Sequence, residues 1–186
     1  MRRGKSPHRS KWIATGLGAV ILVLAGCDHA VQPPTASLTR PAPTSVDSAA
    51  TERVDRLAVE AAYRRYWTVS RTFDRQYPES QWRRVLAEVA AEPHLGLVLA
   101  RTRTQHRDGI RLYGQVVPHL TVLPIGGADT AVVRDCQDAS HAGQADAATG
   151  RPRTVGVPRN PVLGRLRRGS DRVWRVYSIE FPEERC

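Results

Sequence analysis

Asp135 and Asp138, three residues apart, are the carboxylates through which this chain could do acid–base chemistry. A carboxyl whose pKa is raised by its surroundings can shuttle a proton near neutral pH. On a regular strand, however, a spacing of three sends the two side chains to opposite faces, so they do not form a paired dyad. The alternative for each is a solvated strand end or an ion pair with one of the many arginines. His94, His106, His119 and His141 have no i, i+4 partner among themselves and no acid at a spacing that suits zinc, so no metal site is expected. There is no Gly-x-Ser-x-Gly elbow, no phosphate-binding loop and no dinucleotide fingerprint, so no cofactor is expected either. The remaining reactive groups are the thiols of Cys27, Cys136 and Cys186.

Aromatic residues offer a second kind of site. Tyr63, Tyr66 and Trp67 lie at helical spacing, where they can line a pocket for an apolar ligand or simply join the core. The formal charge of +10 invites a nucleic-acid reading, but its distribution argues otherwise. Arg2, Arg3, Lys5, Arg9 and Lys11 precede the first long apolar run, and no acid comes before Asp28. From residue 27 onward 23 arginines face 18 acids, a net of +5, with no lysine at all. Schiff-base chemistry is thereby excluded from that part of the chain. No stacking aromatics are interleaved with the arginines, so no nucleic-acid partner is expected. The densest basic group, Arg165, Arg167, Arg168 and Arg172, could meet anionic headgroups or form a solvated face.

Residues 12–26 are an uncharged stretch behind that basic head, the layout of a signal peptide. As a helix they would extend about 22 Å, short of the roughly 30 Å of bilayer hydrocarbon. Leu24-Ala25-Gly26-Cys27 resembles the lipobox of bacterial lipoproteins. That resemblance implies cleavage before Cys27, a thioether-linked diacylglycerol on its sulfur and often a further acyl chain on the freed amine. Two or three chains hold a protein to a membrane where one would not. The expected address is therefore the outer face of the cell membrane, with the bilayer as partner through Cys27. From Asp28 to about Ala50 the chain is rich in Pro, Ser, Thr and Ala, and reads as a disordered spacer.

The elements that must position the candidate residues follow from periodicity. Val54, Ala58, Ala62, Tyr66, Val69, Phe73 and Tyr77 recur at steps of three or four, predicting one long helix from Thr51, a capping residue, to the stop at Pro78. Trp82, Leu86 and Val89 mark a second helix before Pro93, and Leu95, Val98 and Leu99 a third before Asp108-Gly109. The rhythm then becomes alternating: Leu112 to Val116, Leu120 to Val122, Thr130 to Cys136, Val162 to Leu166 and Val173 to Phe181. The turn at 124–129 and the polar stretch from Asp138 to Pro152 read as connections. Three helices followed by about four antiparallel strands predict an α+β domain over 51–186, with the helices covering one face of a curved sheet.

Arg134-Asp135-Cys136-Gln137-Asp138 on the middle strand, Ala148-Thr149-Gly150 in the hairpin and Trp174-Arg175-Val176 on the last strand give the chain a resemblance to the nuclear transport factor 2-like lipoproteins of actinobacteria. The resemblance runs from about Glu52 to the end. It implies a cone of sheet around the long helix with a pocket at the open end, to which Asp135 and Asp138 would be the nearest acids. It carries no single activity, since that fold hosts enzymes, binders and scaffolds. The expected function is accordingly a non-catalytic binding or scaffold module of the cell envelope, taking a partner protein or an apolar small molecule. The alternative is a small hydro-lyase or isomerase acting on an apolar ligand. If lipid occupies Cys27, Cys136 and Cys186 either form one disulfide or stay apart, one buried and one on a frayed end. Export favours the bridge.

Overall fold

The computed structural model describes residues 45–124 and 129–186. Cys27, the expected signal peptide, most of the spacer and the turn at 125–128 lie outside the described residues. Four helices, α1 (Ser45–Ser70), α2 (Phe73–Gln76), α3 (Glu79–Leu86) and α4 (His94–Arg107), precede six strands. The strands are β1 (Ile110–Tyr113), β2 (Leu120–Val122), β3 (Thr130–Gln137), β4 (Gly143–Asp146), β5 (Asn160–Arg168) and β6 (Trp174–Glu180). β2, β3, β5 and β6 form one antiparallel sheet in that order, and the helices pack against it, as the α+β reading expects.

The long helix differs from expectation in three ways. It begins at Ser45 rather than Thr51, so the last residues of the expected spacer are helical; Ala49 and Ala50 are strong helix formers. It also breaks before Phe73 instead of running to Tyr77. The Thr72 hydroxyl donates to the Thr68 carbonyl at 2.9 Å while the Thr72 amide bonds to Val69, three residues back. Such local bonding competes with the regular helical ladder. Finally, the buried stripe is Val59, Tyr63, Tyr66 and Ser70, while Val54 is 65% exposed. Both stripes obey the helical period, and the one carrying the larger buried aromatics faces the core.

A second, two-stranded sheet joins β1 to β4, from Ile110 opposite Asp146 to Tyr113 opposite Gly143. The sequence reading missed β4 because Gly143-Gln144-Ala145-Asp146 is polar and weak in strand propensity. Tertiary fastening makes it possible. Arg71 donates to the carbonyls of Tyr113 and Gly114, and Arg75 to that of Leu112, tying β1 to the helices. Asp146 organises the following turn by accepting from the amides of Ala148 and Thr149 and from Arg153.

Between helices and main sheet lies the core, built from Tyr63, Tyr66, Phe73, Trp82, Leu86 and Leu99 on one side. Val122, Val133, Leu166, Trp174 and Val176 face them from the strands. The outer edge of β6 is closed by residues 89–91, whose backbone bonds to both sides of Val176. Among the described residues no helix is long and apolar enough to cross a membrane.

Candidate functional site

β3 alternates as a strand with two different environments must. Ala131, Val133, Asp135 and Gln137 are buried, with Arg134 exposed and Cys136 half-buried between them. Asp135 is therefore a carboxylate set among core residues, 1% exposed. Its Oδ2 accepts from the Tyr63 hydroxyl at 3.1 Å and its Oδ1 from the His119 amide at 2.7 Å. Burial pushes its pKa up; the two donated bonds act in the opposite direction without cancelling the effect. Burial and the Asp135 charge drive the Tyr63 hydroxyl far above its ordinary range, so it stays protonated and donates.

The interior that the resemblance would leave open is filled. Tyr63 is fully buried, and its ring lies over Gly164 of β5 so closely that a Cβ there would sit 2.5 Å from the ring. Tyr66 is also core, and its hydroxyl meets His94 Nε2 at 2.6 Å. Burial raises the Tyr66 pKa and lowers that of His94, so a neutral phenol and a neutral imidazole share the bond. Trp67 packs edge-on to Tyr63 and Tyr66 and borders a cavity of only about 90 Å³. Asp138 stands apart, beyond the end of β3, accepting from the amide and hydroxyl of Ser140, which hold it below the usual carboxylate range. The structure thus joins Tyr63 to Asp135, stacks Trp67 and Tyr66 beside Tyr63 on the helix side, and leaves Asp138 apart from them.

Since the native pKa of Asp135 is raised, the native state holds this proton more firmly than the unfolded chain. The group's contribution to stability therefore falls as pH rises from the unfolded carboxylate range through the native value. Asn at this position can accept from His119 with its oxygen and donate to the Tyr63 oxygen with its amide. Asp135→Asn is expected to unfold at equal or higher urea concentration than the parent at pH 7, with the advantage gone by about pH 4. Urea midpoints across that range test it; a variant weaker at every pH would mean that the charged hydrogen bonds outweigh desolvation.

A ligand-sized space occurs elsewhere. Cys136 and Cys186 are joined by a disulfide, which ties the 181–186 segment back to β3. Beneath that segment is a cavity of about 570 Å³. Thr121, Arg134, Pro161 and Leu163 line it from the strands, and Pro182, Glu184 and Arg185 from the segment. Asp135 contributes to its wall, but at 1% exposure the carboxyl is not presented to the space. Arg134, Leu163, Pro182 and Arg185 escaped the sequence reading. The signal that could have found them is the cysteine pair, because a bridge between residues 136 and 186 forces the neighbours of each cysteine to face one another.

Two arginines of the basic group on β5 and the turn after it, Arg165 and Arg168, have carboxylate partners. Arg168 makes a two-pronged pair with Asp55 at 3.1 and 3.0 Å, Arg165 pairs with Glu180, and Arg167 stacks over Tyr177.

These features define an α+β domain, helices packed on an antiparallel sheet, with a disulfide-closed cavity against β2, β3 and β5. No protein-family model matches the chain and no curated protein matches it. Among solved structures it is similar to the intermembrane space region of the chloroplast protein ARC6, at 13% identity, 70% of this chain, 95% of that one and a TM-score of 0.48. A structure from Catenulispora acidiphila matches at 13% identity, 70% and 94% coverage and a TM-score of 0.45. A conserved protein from Planctomyces limnophilus matches at 16% identity, 68% and 94% coverage and a TM-score of 0.41.

Proposed function

We propose that this chain is a lipid-anchored protein of the outer face of a bacterial cell membrane. Its nuclear transport factor 2-like domain serves as a non-catalytic binding module, taking a small molecule or an envelope protein. The observation that carries the reading is the Cys136–Cys186 bridge. Such a bridge suits an oxidising compartment, and it also holds the 181–186 segment over a space large enough for a ligand. The Leu24-Ala25-Gly26-Cys27 sequence behind a basic, apolar leader supports the anchor.

Intact mass of the protein recovered from its host's membrane fraction tests the address. The expected chain starts at Cys27, carries added acyl groups, and gains the mass of two hydrogens on reduction. A chain retaining residues 1–26 without acyl groups would sink the anchor.

A hydro-lyase or isomerase is the second reading, favoured by one observation, the buried Asp135 carboxyl with its raised pKa beside Tyr63. It requires the Tyr63 ring to swing away and admit substrate. An Asp135→Asn protein that keeps ligand affinity but loses turnover would support it.

A further inference from the structure

We propose that the cavity under the 181–186 segment binds an apolar small molecule carrying a single oxyanion, a carboxylate or a phosphate-type group. Arg134 and Arg185 take the head, and Leu163 and Pro182 face the body. This rests on the reading of the domain as a binding module and names the ligand class.

The first argument is unspent charge. Three of the other arginines on the sheet have carboxylate partners, Arg165 with Glu180, Arg168 with Asp55 and Arg175 with Asp171, and Arg167 lies over the Tyr177 ring. Arg134 and Arg185 line the cavity and make no ion pair or side-chain hydrogen bond among the described residues. Each guanidinium offers a planar fork of donors that matches an oxyanion two-pronged. Against these stand Glu184 and Asp135, the latter buried with its carboxyl bonded to Tyr63 and His119, so the cations presented to the space outnumber the acids and favour an anion.

The second argument is shape. About 570 Å³ lies within the range that holds small organic ligands, and apolar walls with a few convergent polar groups are how such sites are built. Leu163, Pro161 and Pro182 supply those walls. The third is preorganisation. Arg134 stands on a strand paired on both sides, and the backbone of Arg185 is tied to the same cavity by the bridge at the adjoining residue. The backbone at both positions is thus fixed before binding, and the freedom lost is that of the side chains.

The test uses the full-length lipidated protein in lipid nanodiscs with three soluble probes: phenylacetate, phenyl phosphate and the neutral phenylacetamide. Affinity is read by titration, and the site by amide NMR shifts of Thr121 and Leu163. At least one of the two anions is expected to shift those amides and to bind about tenfold tighter than phenylacetamide, the tighter of the two identifying the head group. Arg134→Gln and Arg185→Gln should each weaken that anion about tenfold and leave phenylacetamide unchanged. Both side chains are exposed, and an unchanged melting temperature shows that each variant is folded. If phenylacetamide shifts the same amides as strongly as the anions, or the variants bind the anions undiminished, the oxyanion inference fails and the binding-module reading stands. If none of the probes shifts Thr121 or Leu163, the small-molecule site and the ligand class fall together.

Discussion

Cys186→Ser, which removes the bridge to Cys136, is expected to lower the unfolding free energy by about 4 kcal/mol. The two cysteines are 50 residues apart, and the loss follows from the larger conformational space that the unfolded chain regains when so long a loop is opened. Native packing should suffer little, because β3 keeps its partners β2 and β5, and the 181–186 segment past β6 is mostly exposed. For a folded unit of this size the change corresponds to a fall of roughly 10 °C or more in melting temperature. Thermal and urea unfolding of oxidised, reduced and Cys186→Ser protein, followed by circular dichroism, measures it. The reduced parent and the variant should coincide. If both melt with the oxidised protein, the bridge does not restrain the unfolded chain. The same change frees one wall of the cavity, so it should weaken any ligand that the cavity holds.

Element types were legible because each strand and helix carries its own period and its own punctuation. Pro78 precedes α3 and Pro93 precedes α4, though α3 stops at Leu86 and leaves Val89 to the edge of β6, and β5 and β6 each lie within a few residues of the runs that mark them. What was not legible depended on side chains reaching across the fold. β4 exists because β1 pairs with it, and β1 is in turn stapled by Arg71 and Arg75 from the helices. No local signal in Gly143-Gln144-Ala145-Asp146 announces that. The candidate site shows the same division. Burial of Asp135 and its contact with Tyr63 could not be read from sequence, because a carboxylate on an alternating strand is assigned outward by default. The cysteine pairing was readable as one of two outcomes, and the cavity it closes was readable only once the bridge was known.

Tyr63→Ala should be as damaging as loss of the bridge, by a different route. The ring is fully buried, and truncating an aromatic of this size in a core costs about 3–5 kcal/mol through lost transfer energy and the hole left behind. Asp135 would also lose its hydroxyl donor and remain a buried carboxylate with one oxygen unpaired. Tyr63→Phe separates the two contributions, keeping the ring and removing only the donor, at about 1–3 kcal/mol. Gly164 lies on the other side of the same contact. Gly164→Ala places a methyl 2.5 Å from the Tyr63 ring, inside any permitted approach, and displacing that ring should cost about 1–3 kcal/mol. In Tyr63→Ala the ring is gone, and the same methyl enters the vacated space rather than colliding. The double variant Tyr63→Ala/Gly164→Ala should therefore be more stable than the sum of the single losses predicts, by about 1 kcal/mol or more. Urea unfolding of the four proteins gives the coupling directly. Strict additivity would mean that the sheet shifts to accept the added methyl whatever faces it. The interior would then be soft enough to open, and the Asp135 carboxyl could meet a substrate. A large coupling means that the ring and the glycine fix each other, so the interior stays closed and binding is left to the cavity beneath the bridged segment.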